Sequence, residues 1–184
     1  PDALAFAAAC AASAVNAVAG GGTLISFPAL VWLGLPPITA NATNAVAIWP
    51  GSLGAMWGYR AELRTAGRWV YALVAPSLAG GFVGAVLLRL TPTRTFDRLV
   101  PLLILFATLL FMVQEPLQRR FKLSGRPGSR STWLGGVAVF QFFVSLYGGY
   151  FGAGMGILML AALAVIGFDD VHQMNGVKNL LALC

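Results

Sequence analysis

The sequence predicts an all-α, polytopic membrane protein with two related repeats whose helices are broken at glycine-rich segments. Of the 184 residues, 58% are hydrophobic and 10% are charged, whereas soluble domains carry about 25% charged residues. Long apolar runs lie between charged clusters, as membrane-spanning helices do. Two of these runs are interrupted by glycine and proline in a similar order, which predicts the repeats.

Composition also excludes several classes of protein. The net charge of +6 could attract nucleic acid, but the basic residues form short clusters without a polar surface that could follow a phosphate backbone. Cys10 and Cys184 lie far apart without a metal-binding spacing, so we expect neither a disulfide nor a metal site. No Ser-His-acid set, paired intramembrane carboxylates or HExxH motif is present, so we expect no cofactor and no enzymatic activity.

The first repeat is predicted over residues 1–131. Glycines at 20–22 and a Gly-Leu-Pro-Pro turn at 34–37 interrupt its first apolar run, and a short turn near Arg94 joins its two plain spans. Its parts are a broken hairpin over about residues 3–58, spans over about 69–89 and 97–115, and a basic loop over 116–131.

Residues 132–184 are predicted to begin a second repeat, which is incomplete. Its glycine-rich segment at 148–156 precedes a half-length apolar run, a polar turn and a returning run from Val171. An offset of 133 to 135 residues superimposes the two blocks. It pairs Gly20 with Gly154, Gly22 with Gly156, Asn41 with Asn175 and Asn44 with Asn179. The missing initial Met and the apolar ending suggest a fragment of a longer chain.

The basic residues predict the orientation. Residues 60–68 hold three arginines, and residues 118–131 hold four more and Lys122. Because Lys and Arg accumulate on the cytoplasmic side, we expect both segments to be cytoplasmic. The sequence leaves open whether the repeats are inverted or parallel.

The glycine breaks are candidate anion sites. Helices that restart after Gly22 and after Gly154 or Gly156 present free N–H groups and a positive dipole end, and glycine lets a ligand approach the backbone. Alternatively, these glycines only permit close helix packing. The candidate binding residues at the breaks are Gly20, Gly21, Gly22, Thr23, Gly152, Gly154 and Gly156. Matched broken helices of this kind are typical of secondary transporters.

A second group of candidates begins the returning helices. These polar residues are Asn41, Thr43, Asn44, Asn175, Lys178 and Asn179. An ammonium at membrane depth is costly, and Lys178 has no carboxylate at its own predicted depth, although Asp169 and Asp170 precede it by about two turns. Beside amide donors it would suit an anion; alternatively it extends to the headgroups. His172 could carry a proton or be a solvated turn residue.

The tryptophans fall mostly near the predicted span ends. They are Trp32, Trp49, Trp57, Trp69 and Trp133. This distribution favours an interfacial aromatic belt over a binding site.

Two motifs resemble those of the TauE/SafE sulfite-exporter family. The first comprises residues 20–30, with three glycines and then Thr23-Leu24-Ile25-Ser26-Phe27-Pro28-Ala29-Leu30, followed by residues 34–37 and 40–44. The second comprises residues 148–156 and 174–181. The resemblance implies a bacterial inner-membrane transporter of sulfite, organosulfonates or related sulfur oxyanions, with its polar site at the broken helices and with closing spans beyond residue 184.

These observations support one leading hypothesis and two rivals. In the first, the two repeats rock around a small inorganic or organosulfur anion and expose its site alternately. In the second, the same glycines line a permanent anion channel. In the third, the breaks serve packing alone in a structural membrane protein. The oligomeric state is not indicated.

Overall fold

The computed structural model describes residues 2–122, 130–166, 168 and 170–184. The regular structure in these ranges is helical, as predicted. The helices are α1 (Asp2–Ala19), α2 (Thr23–Trp32), α3 (Pro37–Gly58), α4 (Arg60–Thr65), a 3-10 helix (Arg68–Leu73), α5 (Val74–Leu90), α6 (Thr93–Lys122), α7 (Arg130–Tyr150), α8 (Met155–Ile166) and α9 (Val171–Ala182).

Two helix pairs are interrupted at the glycine-rich segments. α1 ends at Ala19 and α2 begins at Thr23, while α7 ends at Tyr150 and α8 begins at Met155. Backbone φ angles of 78° at Gly20, 77° at Gly152 and 76° at Gly154 redirect the chain. This left-handed conformation is cheap only for glycine, so the glycines fix where the helices stop.

Each short helix is followed by a returning helix. α3 starts after Pro36, and Pro37 at its first position suits a helix start. α9 starts after Asp170, whose Oδ1 accepts the His172 N–H at 2.8 Å, a stabilising N-cap. Asp170 is therefore engaged at the helix start, and Asp169 lies outside the described residues. His172 is exposed.

Three predicted boundaries are corrected. α6 continues to Lys122, so residues 116–122 of the predicted basic loop are helical; Gln, Arg and Lys are good helix formers and continue the helix past its apolar part. Residues 123–129 lie outside the described part of the chain. Residues 60–65 form the short helix α4 rather than a loop. The turn between α5 and α6 is only Thr91 and Pro92, and Arg94 belongs to α6.

Helix length and exposure fit a membrane environment. Within the described ranges, Val70–Leu90 is the segment long and apolar enough to cross a bilayer. Ala9–Ala19, Thr23–Trp32 and Met155–Ala164 are shorter apolar helices, as expected for broken spans. Large apolar side chains face outward, among them Trp32, Phe82, Leu90, Leu102 and Met112. A lipid-facing surface explains such exposure, which a soluble monomer avoids.

α5 packs tightly on α7 and so holds the second break in place. A Cβ on Gly80 or Gly84 would overlap the Phe142 or Leu146 carbonyl oxygen of α7. This four-residue spacing of glycines is a close-packing motif of membrane helices that the sequence analysis missed. Between the same helices, Gln141 Nε2 donates to Ser77 Oγ at 2.9 Å, and within α7 it also donates to Ser145 Oγ at 3.1 Å.

Candidate functional site

The two breaks contact each other. The Gly154 N–H donates to Thr23 Oγ1 at 3.2 Å. A Cβ on Gly20 would lie 2.6 Å from the Gly156 carbonyl carbon and 2.9 Å from the Ile157 nitrogen. The α1–α2 break therefore touches the start of α8 backbone to backbone. Gly20 and Gly156 permit this close packing, as the alternative interpretation of the glycines predicts. This contact also places both helix N-termini beside one space.

Gly21 and Gly22 are buried behind this contact. A Cβ on Gly22 would overlap the Ala12 carbonyl oxygen of α1 and lie 2.9 Å from Asn16 Cβ. Gly22 thus lets α2 start directly against the last turns of α1. Its position is set by packing, and it acts on the site through the placement of Thr23.

A cavity of about 110 Å³ lies where the breaks meet. Its polar and backbone lining includes the predicted residues Thr23, Gly152, Gly156 and Lys178. The remaining lining residues are Asn16, Ala45, Ile48, Trp49, Ser52, Gly148, Met155 and Ala182. Both breaks and both returning helices therefore contribute to one cavity.

Backbone donors are available at this cavity. The first α2 amide with a backbone acceptor is that of Leu24, which donates to Gly21 O at 3.0 Å. In α8, the Ile157 amide donates to Gly154 O at 3.0 Å. The Thr23 and Gly156 amides have no acceptor in the part of the chain that the structure describes, as expected in a first helical turn. Each belongs to a residue that lines the cavity.

Lys178 is buried, with 1% of its surface exposed, so its side chain does not extend to the headgroups. Its Nζ donates to Asn16 O at 2.7 Å, Ala17 O at 3.0 Å and Asn175 Oδ1 at 2.8 Å. The sequence predicted that no carboxylate lies at the depth of Lys178, but it did not predict these neutral oxygen partners. The physical reason is that α1 stops early, and its last carbonyls carry partial negative charge that attracts a cation.

Asn179 also ties α9 to the end of α1. Its Nδ2 donates to Ala17 O at 3.2 Å and to Asn175 O at 2.9 Å. Its Oδ1 is buried and has no partner within the described residues. Because both amide protons are used, exchanging the nitrogen and oxygen positions would not satisfy that oxygen.

The returning helix α3 makes the corresponding contact with the second break. Asn41 Nδ2 donates to Tyr150 O, at the end of α7, at 3.0 Å, and Asn44 Oδ1 accepts from Ser26 Oγ in α2. Each returning helix thus caps the C-terminus of the other block's broken helix. Thr43 is exposed and does not line the cavity, because residues two apart on a helix point in nearly opposite directions.

Sequence reasoning missed several residues of the site. Asn16, an amide residue four positions before Gly20, carries a signal that could have been used, since it is strongly polar within an apolar run. Ser52 follows Pro50-Gly51 and gives a weaker signal. Trp49, which the sequence places near a predicted span end, also lines the cavity, and its Nε1 donates to Leu183 O at 3.4 Å.

Comparison with known proteins identifies one family and several relatives that are described as probable membrane transporters. A profile of the family described as Sulfite exporter TauE/SafE matches residues 5–184. A probable membrane transporter protein of Haemophilus influenzae is 31% identical over 159 residues, which cover 86% of this chain and 60% of that protein. The probable membrane transporter protein YfcA of Escherichia coli K12 is 27% identical over 165 residues, which cover 84% of this chain and 56% of that protein.

A third relative, the probable membrane transporter protein ORF9 of Sinorhizobium sp., is 28% identical over 170 residues, 89% of this chain and 61% of that protein. The chain spans about three fifths of the length of the curated relatives it matches. No solved structure matches it. The helical fold, the outward-facing apolar side chains and these relatives confirm the predicted polytopic membrane protein. The profile match includes both glycine breaks and every cavity residue, and the chain belongs to the TauE/SafE sulfite exporter family.

Proposed function

We propose that this chain provides the two broken-helix units of a secondary carrier for a small sulfur oxyanion, such as sulfite or an organosulfonate. The observation that carries the proposal is the cavity where both breaks meet, lined by Thr23, Gly152, Gly156 and Lys178. The family supports a sulfur oxyanion. Its relatives, which are longer than this chain, are described as probable membrane transporters.

The electrostatics of the cavity favour an anion. The N-termini of α2 and α8 begin beside it, and a helix N-terminus stabilises an anion by about 0.3–1 kcal/mol, and by up to about 2 kcal/mol when partly buried. Lys178 adds a formal positive charge at the cavity wall. The described lining residues include no carboxylate. The formal charge of Lys178 therefore favours an anion over a cation, and the two helix N-termini act in the same direction.

Hydrogen-bond donors also suit an oxyanion. The unpaired amides of Thr23 and Gly156 can each donate to an oxygen atom. The Thr23 hydroxyl accepts the Gly154 N–H through its oxygen, so its own proton remains available as a donor. Hydrogen bonds to a charged group contribute about 1.5–3 kcal/mol each, which is enough to replace part of the hydration of the anion.

The packing of the breaks supports alternating access over a permanent pore. Gly20 and Gly156 touch through their backbones, so the centre is closed at that contact, whereas a channel needs a continuous path. The cross-contacts of Asn41 with α7 and of Lys178 with α1 join the two blocks at their helix ends. We propose that the blocks are repeats that rock about these contacts, with residues 60–68 and 118–131 on the cytoplasmic side of the inner membrane.

The test is anion flux through proteoliposomes that contain the intact protein, with labelled sulfite, an organosulfonate and chloride as probes. We expect saturable flux of the sulfur oxyanions and little chloride flux. Thr23→Val removes a donor and should reduce sulfite uptake at low concentration about tenfold or more. Thr43→Val is the matched control, because that side chain is exposed and outside the cavity, and it should stay within about twofold of the wild type.

Two outcomes would count against the proposal. Flux that rises linearly with concentration and carries chloride equally would support the channel. Equal effects of Thr23→Val and Thr43→Val would remove the cavity from the transport path and would favour breaks that serve packing alone.

A further inference from the structure

The Lys178 ammonium is held by neutral oxygen atoms alone. Its three donors meet Asn16 O, Ala17 O and Asn175 Oδ1 at 2.7 to 3.0 Å. An ammonium has three N–H groups, so all of them are used. The described residues offer it no carboxylate partner, and a buried charge without a counter-charge is costly. The net charge of the site therefore depends on what else occupies the cavity.

The helices packed against α9 supply no opposite charge near Lys178. α3 and α8 contain no titratable side chain. In α1, Asp2 and Cys10 precede Asn16 by about 21 and 9 Å of helix rise, and Cys10 is exposed. In α5 the charged residue is Arg89, which is exposed and positive.

α4 contacts a different face of α9. Tyr59 and Leu63 lie closest to Gly176, which points about 200° away from Lys178 around the helix. The charged residues of α4 are Arg60, Glu62 and Arg64. His172 is exposed to solvent beside the Tyr59 ring, with ring centroids 6.1 Å apart. Cys184 follows α9, and its thiol contacts Leu180 O.

Loss of the proton would disturb the contact between α1 and α9. A neutral amine has two N–H groups and one lone pair, so one of the three oxygens would lose its donor and face that lone pair. The ammonium would give its proton to a water molecule, forming hydronium. Asn179 Oδ1, on the next residue, is a buried acceptor without a partner among the described residues. A buried acceptor of this kind calls for a donor such as water, which would provide the route for the proton.

We infer that Lys178 carries the coupling proton of this transporter, so that the anion and one proton cross the membrane together. The inference rests on the proposed function. With both bound, the ammonium and a singly charged anion leave the site neutral; with neither bound, the amine and the empty cavity are also neutral. With only the anion or only the proton bound, the carrier would have to change conformation with an unbalanced charge buried inside lipid, which is disfavoured. Anion cotransport with a proton follows, without a sodium requirement.

The test is accumulation of methanesulfonate in proteoliposomes that contain the intact protein. This anion stays singly charged across the pH range, so its own titration cannot imitate coupling. At one proton per anion, each pH unit of gradient, acidic outside, should raise accumulation about tenfold, because one unit equals 1.36 kcal/mol. A membrane potential set with potassium and valinomycin should have no effect. Labelled sulfite in the same vesicles reports the proposed function itself. If sulfite alone is carried, its pH-driven accumulation is compared between the wild type and Lys178→Arg, because titration of the probe is the same in both.

Lys178→Arg separates proton coupling from a merely structural charge. Arginine stays protonated, so the variant should still exchange labelled for unlabelled anion, at a reduced rate, but lose accumulation driven by the pH gradient. Lys178→Met, with no charge, should lose both. Arg89→Met, which removes an exposed cation outside the cavity, should behave like the wild type. The exchange assay also shows that the arginine variant is folded.

The results separate the two proposals. Sulfite flux that responds to the potential but not to the pH gradient overturns proton coupling and leaves the proposed function standing. Normal pH-driven accumulation by Lys178→Arg overturns the assignment to Lys178. Absence of flux for every anion overturns the proposed function and the inference with it.

Discussion

Gly20→Ala tests the contact between the two breaks on which the site is built. The new methyl group would lie 2.6 Å from the Gly156 carbonyl carbon and 2.9 Å from the Ile157 nitrogen, both backbone atoms that cannot move alone. Gly20 also has a φ of 78°, which costs a residue with a Cβ about 1–2 kcal/mol. Overpacking adds about 1–3 kcal/mol, so we expect a total loss of about 2–5 kcal/mol.

Two other glycines provide matched controls. Gly34 has a φ of 94° but no atom within 4 Å of a built Cβ, so Gly34→Ala should cost only the conformational part, about 1–2 kcal/mol. Gly54 lies within α3, and its built Cβ also has no neighbour within 4 Å. Gly54→Ala should therefore stabilise the protein by about 0.5–1 kcal/mol.

The assay is thermal melting of the purified intact protein in detergent, followed by tryptophan fluorescence. For a domain of this size, 1 kcal/mol corresponds to about 2–4 °C in Tm, so Gly20→Ala should lower Tm by about 4–20 °C. From the highest Tm to the lowest, the expected order is Gly54→Ala, wild type, Gly34→Ala and Gly20→Ala. A Gly20→Ala variant that melts at or above the temperature of Gly34→Ala would refute the backbone contact between the breaks.

Three further predictions follow from the same geometry. Lys178→Met should lower sulfite uptake into proteoliposomes about thirtyfold or more, because removing one of two paired charges costs about 2–5 kcal/mol; uptake at the wild-type rate would contradict an ammonium that attracts the anion. Asn41→Ala should lower Tm by a few degrees, because it leaves Tyr150 O at the end of α7 without its amide donor, which costs about 1–3 kcal/mol; an unchanged Tm would show that water replaces the amide. Arg64→Cys, in a protein whose native cysteines are changed to serine, should react with a membrane-impermeant maleimide only from the cytoplasmic side, and reaction from outside would reverse the proposed orientation.

The positions of the helix breaks could be predicted from the sequence. Glycine runs at 20–22 and 148–156 stop the helices where the structure shows the breaks, because the left-handed backbone there needs glycine. Which residues of each returning helix face the protein interior was harder to predict. Asn41 and Asn44 share a face and contact other helices, whereas Thr43 is exposed. The presence of polar residues near a helix start does not by itself show which of them are buried and which are exposed.

The partners of Lys178 could not be predicted, because Asn16 and Ala17 lie more than 160 residues away in sequence. Backbone carbonyls leave no mark in the sequence, so a lysine that caps a distant helix looks like an unpaired one. The contact of Trp49 with the cavity could not be predicted for a related reason. A tryptophan near a predicted span end fits an interface by position alone, and only the packing of α3 against the breaks turns it toward the cavity.

The most direct test of the account is a crystal structure of the intact protein with selenite, a heavier analogue of sulfite whose selenium can be located by anomalous scattering. The account predicts a peak in the cavity, within hydrogen-bond distance of the Thr23 and Gly156 amides and beside Lys178. A peak elsewhere, with this cavity empty or with both glycine segments wound into continuous helix, would contradict it.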